Sequence, residues 1–280
     1  MPFKKFRFIQ RIQLNNSISP KSKNFQLNRN YRKKRRKSLF KMKIICIGDS
    51  LTFGNVGYSY IHFLNLNRNP HYEYINKGKN GDTVRGCYDR LKKIVDKSQY
   101  NSKIYVLGIG TNDIFLPYLK FVSMFWFLQM SLRCKIKKCI ENDDIFYQEY
   151  NKILNFLCTK NKQVITLGMP FINLKNFPHE NLIKRNRLIE ELAKKYNYPF
   201  IDIYKLQKAK IDADHCVYTW KYRYLIRVID AVIMTLFPFT KDYFAKIRNL
   251  TTSVDGVHFN SKSAKILAME IEKKIISKIN

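Results

Sequence analysis

The sequence predicts an α/β domain built on a parallel sheet with helices on both faces. Three observations lead there. Short, β-branched apolar runs recur from residue 43 onward. Between them lie segments with apolar residues at spacings of three and four, and the first three runs each lead into a loop rich in Gly, Asn and Asp. Runs of four or five such residues are too short for independent helices and read as strands buried on both faces. Strands alternating with amphipathic helices make parallel βαβ units.

Taken in order, Lys43 to Ile47 is the first strand and Tyr58 to Leu66 a short helix behind the turn Gly48-Asp49-Ser50. Tyr72 to Ile75 is the second strand, and Asp82 or Thr83 caps a helix striped by Val84, Cys87, Tyr88, Leu91, Ile94 and Val95. Ile104 to Leu107 is the third strand, leading into Gly108-Ile109-Gly110-Thr111-Asn112-Asp113. Phe146, Tyr150, Ile153, Leu154 and Leu157 stripe a helix before the strand Val164 to Leu167. Leu182, Ile183, Ile189, Leu192 and Tyr196 stripe another before the strand Phe200 to Ile203. Asn260 or Ser261 caps a last helix facing inward through Ala264, Leu267, Ala268, Ile271 and Ile275. Two segments break the rhythm: 116–140, rich in Phe, Trp, Met and Leu, and 205–250. They read either as ordinary packed helices or as a lid or acyl-chain wall.

The chain has 280 residues and a formal charge of +31. Residues 1–41 hold 14 Lys/Arg and no acid, which leaves 38 basic against 21 acidic residues, or +17, for 42–280. The block Arg32 to Lys37 predicts a self-repelling, disordered extension. Such a tail can contact RNA or an anionic membrane electrostatically, act as an address, or be a dispensable stretch ahead of a start at Met42. The six cysteines show no CxxC pair and are expected to be reduced core residues. With no transmembrane run and no signal-peptide h-region, a cytoplasmic location is expected. No specific protein partner is implied.

Neighbouring parallel strands bring their carboxyl ends together, so Ser50, Gly81 and Asn112, each following one of the first three strands, converge in one crevice. On its own stretch Ser50 is equally a helix cap or a nucleophile. In the crevice it could attack an acyl carbon, given a base and donors for the oxyanion. The donors on hand are the Asn112 side chain and the N–H groups of Gly81 and Ser50. Of five histidines only His258 sits in a loop before a capped helix with a carboxylate three residues upstream, Asp255. That carboxylate can accept from Nδ1–H and leave Nε2 for the serine proton.

Gly48-Asp49-Ser50-Leu51, Asn76 followed by Gly81-Asp82-Thr83, Gly110-x-Asn112-Asp113 and Asp255-Gly256-x-His258 resemble the four blocks of the SGNH/GDSL hydrolases, in that family's order. The small lysophospholipase/thioesterase-like and arylesterase-like members are the most similar. The resemblance covers Met42 to the C-terminus. It implies a three-layer α/β/α, flavodoxin-like fold and cofactor-free, metal-free ester hydrolysis. In that reading Ser50 is the nucleophile, His258 the base and Asp255 its orienter, with Gly81 and Asn112 completing the oxyanion hole. The substrate is then a small-molecule or lipid ester, an acyl or aryl ester of modest size; acetylated carbohydrate is the alternative. Two readings of another class remain: a metal site around Asp212 to Cys216, and a non-catalytic module that binds through its basic tail. The Gly48 turn has no lysine after its glycines and is not a nucleotide P-loop.

Overall fold

The structure is a computed structural model and describes residues 41–67, 69–209, 218–221 and 224–279. Residues 1–40 of the predicted basic extension 1–41, and the segment Asp212 to Cys216 with His215 in it, lie outside the described residues.

The unit Lys41–Asn280 holds a five-stranded, all-parallel sheet of order β2-β1-β3-β4-β5. The strands are β1 (Met42–Gly48), β2 (Tyr72–Gly78), β3 (Ile104–Gly108), β4 (Gln163–Leu167) and β5 (Phe200–Ile201). The helices are α1 (Ser50–Phe53), α2 (Tyr60–Leu66), α3 (Val84–Val95), α4 (Asn112–Leu119), α5 (Met124–Lys137), α6 (Asp143–Thr159), α7 (His179–Lys195), α8 (Ile203–Lys208), α9 (Tyr224–Leu236), α10 (Thr240–Ile247) and α11 (Ser261–Ile279).

β1 shows why its run is apolar throughout. Ile45 and Ile47 face one core, with Leu91, Tyr150 and Leu154, while Ile44 and Cys46 face the other, with Leu64, Leu267 and Ile271. Both faces are covered, so the alternation of a half-exposed strand is absent. At the carboxyl edge Gly48 pairs with Gly78 on one side and Gly108 on the other. A Cβ on Gly48 would lie 2.3 Å from the Gly108 carbonyl and 2.3 Å from Thr52 Oγ1. Gly48 therefore serves close approach.

The helical stripes are buried as their spacing requires: Phe146, Tyr150, Ile153, Leu154 and Leu157 on α6, and Ala264, Leu267, Ala268, Ile271 and Ile275 on α11. The caps are resolved between the sequence alternatives. Thr83 Oγ1 accepts from Gly86 N (3.4 Å) and Asn260 Oδ1 from Ser263 N (3.0 Å). The last strand is shorter than its apolar pattern, because Asp202 accepts from Lys205 N and starts α8. The cysteine expectation needs correction. Cys46, Cys87 and Cys134 are buried, but Cys139 is half-buried and Cys158 exposed, since Cys158 follows the buried Leu157 on α6 and points off its stripe.

Within their described residues the two irregular segments carry helices α4, α5, α8, α9 and α10, and they meet. Trp126 of α5 packs against Trp220 in a tilted arrangement (5.4 Å between centroids) and meets Tyr224 of α9 edge-on (5.0 Å). Among the described residues no helix is long and apolar enough to cross a membrane.

Candidate active site

β1 delivers the chain into the turn that presents Ser50. Asp49 caps α1 by accepting from Leu51 N (2.9 Å), which leaves Ser50 as the first helical residue, its N–H without an acceptor inside the helix. Asn76 clamps the other end: its Nδ2 donates to the Thr52 and Phe53 carbonyls (3.0 and 3.1 Å), and its Oδ1 accepts from Gly78 N (2.9 Å). The Ser50 turn is thus tied to β2.

A second loop, after the described part of the 205–250 segment, carries His258. Ser253 bridges Phe259, and Val254 N donates to the His258 carbonyl (2.8 Å), closing a tight turn around Gly256, which has φ +90°. Asp255 Oδ1 accepts from the N–H groups of Val257 (3.0 Å) and His258 (2.8 Å). Its Oδ2 lies 2.8 Å from His258 Nδ1, and His258 Nε2 lies 3.1 Å from Ser50 Oγ. Serine, imidazole and carboxylate form one hydrogen-bonded line.

Ser50, Gly81, Asn112 and His258 share a cleft of about 540 Å³. Gly81 adopts φ +64°, a left-handed conformation costly for residues with a Cβ. Asn112 Nδ2 donates one hydrogen to the Asp82 carbonyl (2.9 Å), which fixes the amide between the second and third strand loops. Its second hydrogen is left for the cleft. Asp113 accepts from Val84 N and Ile140 N (2.9 Å each), joining α3 to the end of the α5 segment. Gly110, φ +117°, makes the turn before α4, against Phe146.

The electrostatics divide the carboxylates. Burial would raise the Asp255 carboxyl, but the charges of His258 and Arg227 and the hydrogen bonds outweigh it, so it is held well below the usual range. Burial pushes Asp49 up to about 7, against the pull of Leu51 N–H, His258 and Arg90. Burial likewise pushes Asp113 up to about 7, against the Val84 and Ile140 N–H groups and Arg185. Of the three, Asp255 alone is shifted towards its charged form.

Several neighbours were not legible as site residues. Arg227 of α9 donates to Asp255 Oδ2 and to Asp230 Oδ2 (3.0 Å), and Arg248 closes the network on Asp230 (2.5 Å). The signal available was an Arg and an Asp three apart in an otherwise apolar helix. Trp220 Nε1 donates to the Asp255 carbonyl (2.9 Å) and its own carbonyl accepts from Trp126 Nε1 (3.0 Å), so both irregular segments brace the Asp255–His258 loop. Arg90 Nη2 donates to the Gly48 carbonyl (2.9 Å) and Arg133 lies against Gly81, 2.3 Å from where a Cβ would stand. No spacing in the sequence marks either one.

The chain matches the model of the GDSL-like lipase/acylhydrolase family over residues 44–271. It belongs to that family. The chain is accordingly a carboxylic ester hydrolase. Its fold is shared with solved structures of low identity. A lipase/acylhydrolase from Enterococcus faecalis superposes with TM-score 0.53 at 17% identity, covering 85% of this chain and 96% of that one. The acetylxylan esterase Axe2 from Geobacillus stearothermophilus gives 0.53 at 18%, covering 85% and 96%. LAE5, an alpha/beta hydrolase from the Lake Arreo metagenome, gives 0.56 at 15%, covering 85% and 97%. No curated protein sequence matches the chain.

Proposed function

We propose that this GDSL-like chain cleaves carboxylic esters by two-step acyl transfer through Ser50, His258 and Asp255, on an acyl or aryl ester of modest size. The observation that carries the reading is the continuous line from Ser50 Oγ through the imidazole to a buried carboxylate, at 3.1 and 2.8 Å, opening on an apolar cleft. Ser50 Oγ attacks the carbonyl carbon as its proton passes to His258 Nε2. Asp255 holds Nδ1–H and so the tautomer, and it stabilises the imidazolium that forms. The oxyanion is met by the N–H groups of Ser50 and Gly81 and the second amide hydrogen of Asn112. His258 then protonates the leaving alcohol, and water activated by the same imidazole releases the acid.

Leu119, Trp126, Met130 and Trp220 line the cleft, which favours an acyl chain or aromatic ring over acetate. A cytoplasmic setting belongs to the same proposal, supported by the free cysteines among the described residues, Cys46, Cys87, Cys134, Cys139 and Cys158. The test is hydrolysis of p-nitrophenyl esters from acetate to palmitate by the native chain and by Ser50→Ala. Turnover that rises beyond acetate and vanishes in Ser50→Ala is expected. A maximum at acetate would point to deacetylation of carbohydrates or other small esters, the activity named for Axe2. Turnover that survives in Ser50→Ala would remove the nucleophile assignment.

A further inference from the structure

Helix α9 is inverted with respect to an ordinary surface helix. Its charged residues Arg227 and Asp230 are buried, while Leu225 (72% exposed), Ile226, Ile229 (56%), Val232 and Leu236 (66%) face outward. α5 is apolar on both sides: Trp126, Met130 and Cys134 pack inward, and Met124, Phe125 (73%), Leu128 (63%), Leu132 and Ile136 stand exposed. Outward-facing apolar residues on this scale mark a surface with a partner. The two helices meet at Trp126 and Tyr224, and both line the Ser50 cleft. Val228, Val232 and Leu236 belong to both the cleft lining and the exposed face, so the outer apolar surface of α9 runs into the mouth.

We propose that the exposed faces of α5 and α9 dock this chain on an anionic lipid bilayer, with the cleft opening onto the membrane. Charge decides the occupant. Residues 116–140 contain Lys120, Arg133, Lys135, Lys137 and Lys138 and no acid, and Arg133, Lys135 and Lys138 are exposed beside the apolar stripe. Apolar side chains bordered by basic ones suit the interface of an anionic leaflet, where each cation near the surface adds to the burial of apolar area. A second copy would bring the same cationic border against itself, and residues 1–41, with 14 like charges, carry the same sign. The naming of a lipid ester as the substrate rests on the hydrolase reading, whereas the docking itself does not.

The test therefore uses the full-length, inactive Ser50→Ala chain, floated with unilamellar vesicles of phosphatidylglycerol and phosphatidylcholine. Two further variants in that background are Leu128→Ser/Leu132→Ser on α5 and Leu225→Ser/Ile229→Ser on α9. All four positions are exposed, so circular dichroism and melting should not change. The expected result is capture by anionic vesicles that each pair of substitutions weakens about 10- to 100-fold. Absence of capture overturns the proposal. Capture unaffected by the substitutions also overturns it and assigns binding to the basic extension, which every variant retains. A concentration-dependent dimer, dissolved by the same substitutions in the absence of vesicle binding, would give the face to a second copy instead.

Discussion

Replacing Arg227 with Met should destabilise the fold by about 3 kcal/mol and make that loss pH-dependent. Arg227 is 5% exposed and donates to two carboxylates, Asp230 (6%) and Asp255 (0%). Removing one partner from a buried ion pair costs about 3–5 kcal/mol, because a charge is left without compensation. The lower end applies here. Asp230 keeps Arg248, and Asp255 keeps His258 and two backbone N–H groups. Met fills much of the same volume over the Trp220 ring, from which the guanidinium carbon stands 4.5 Å. With a urea m-value of about 3 kcal/mol/M, the midpoint should fall by about 1 M. The sign of the pH dependence follows from Asp255. Its carboxyl is depressed in the folded chain, so its contribution is fully present above its ordinary value of 3.8 and is lost as pH falls below that. Arg227 supplies part of the depression, so the variant has less to lose. The gap between native chain and variant should be full at pH 7 and should narrow below pH 3.8. Urea titrations at pH 7 and at the lowest pH that still supports folding measure both. A gap under about 1 kcal/mol at neutral pH, or one independent of pH, would refute the argument that Arg227 compensates Asp255.

Three further outcomes are expected. Asn112→Ala should lower kcat about 100- to 1,000-fold with a smaller change in KM, and should cost about 1 kcal/mol of stability through the lost bond to the Asp82 carbonyl; steady-state kinetics with an unchanged kcat would remove Asn112 from the oxyanion site. Asp49→Asn should leave stability near native at pH 4 and raise it by about 2–4 kcal/mol at pH 8. The Asp49 carboxyl is raised from 3.8 to about 7, so the native chain loses stability as pH rises through that window, and the amide does not; parallel melting curves at the two pH values would contradict this. Gly48→Ala should lower stability by about 1–3 kcal/mol or prevent folding, because the new methyl meets a backbone carbonyl at 2.3 Å that cannot rotate away; a native-like Tm would show that the strands yield more than their pairing suggests.

Much of this protein was legible in its sequence because the governing forces are local or follow from chain order. The apolar runs and the helix stripes identified the five strands and the five helices α2, α3, α6, α7 and α11 that cover the sheet. Parallel pairing then put the ends of β1, β2 and β3 together, and with them Ser50, Gly81 and Asn112. The Asp255 to His258 turn is a short-range device, and its spacing showed it. Side chains that act across the fold left weaker traces. Arg227 could be noticed as a charge in an apolar helix, but its partner lies 28 residues on, and only the docking of α9 against the Asp255–His258 loop brings the two within reach. Arg90 meets the Gly48 carbonyl from 42 residues away, and Arg133 reaches Gly81 from an irregular segment. The same holds for α5 and α9. Their composition left packed helices and a lid or acyl-chain wall both open, and which residues face inward depends on Trp126, Trp220 and the Arg227–Asp230 pair finding partners in the tertiary structure. Periodicity sets where an apolar stripe can be, and the partners available in space decide which side of the helix is buried.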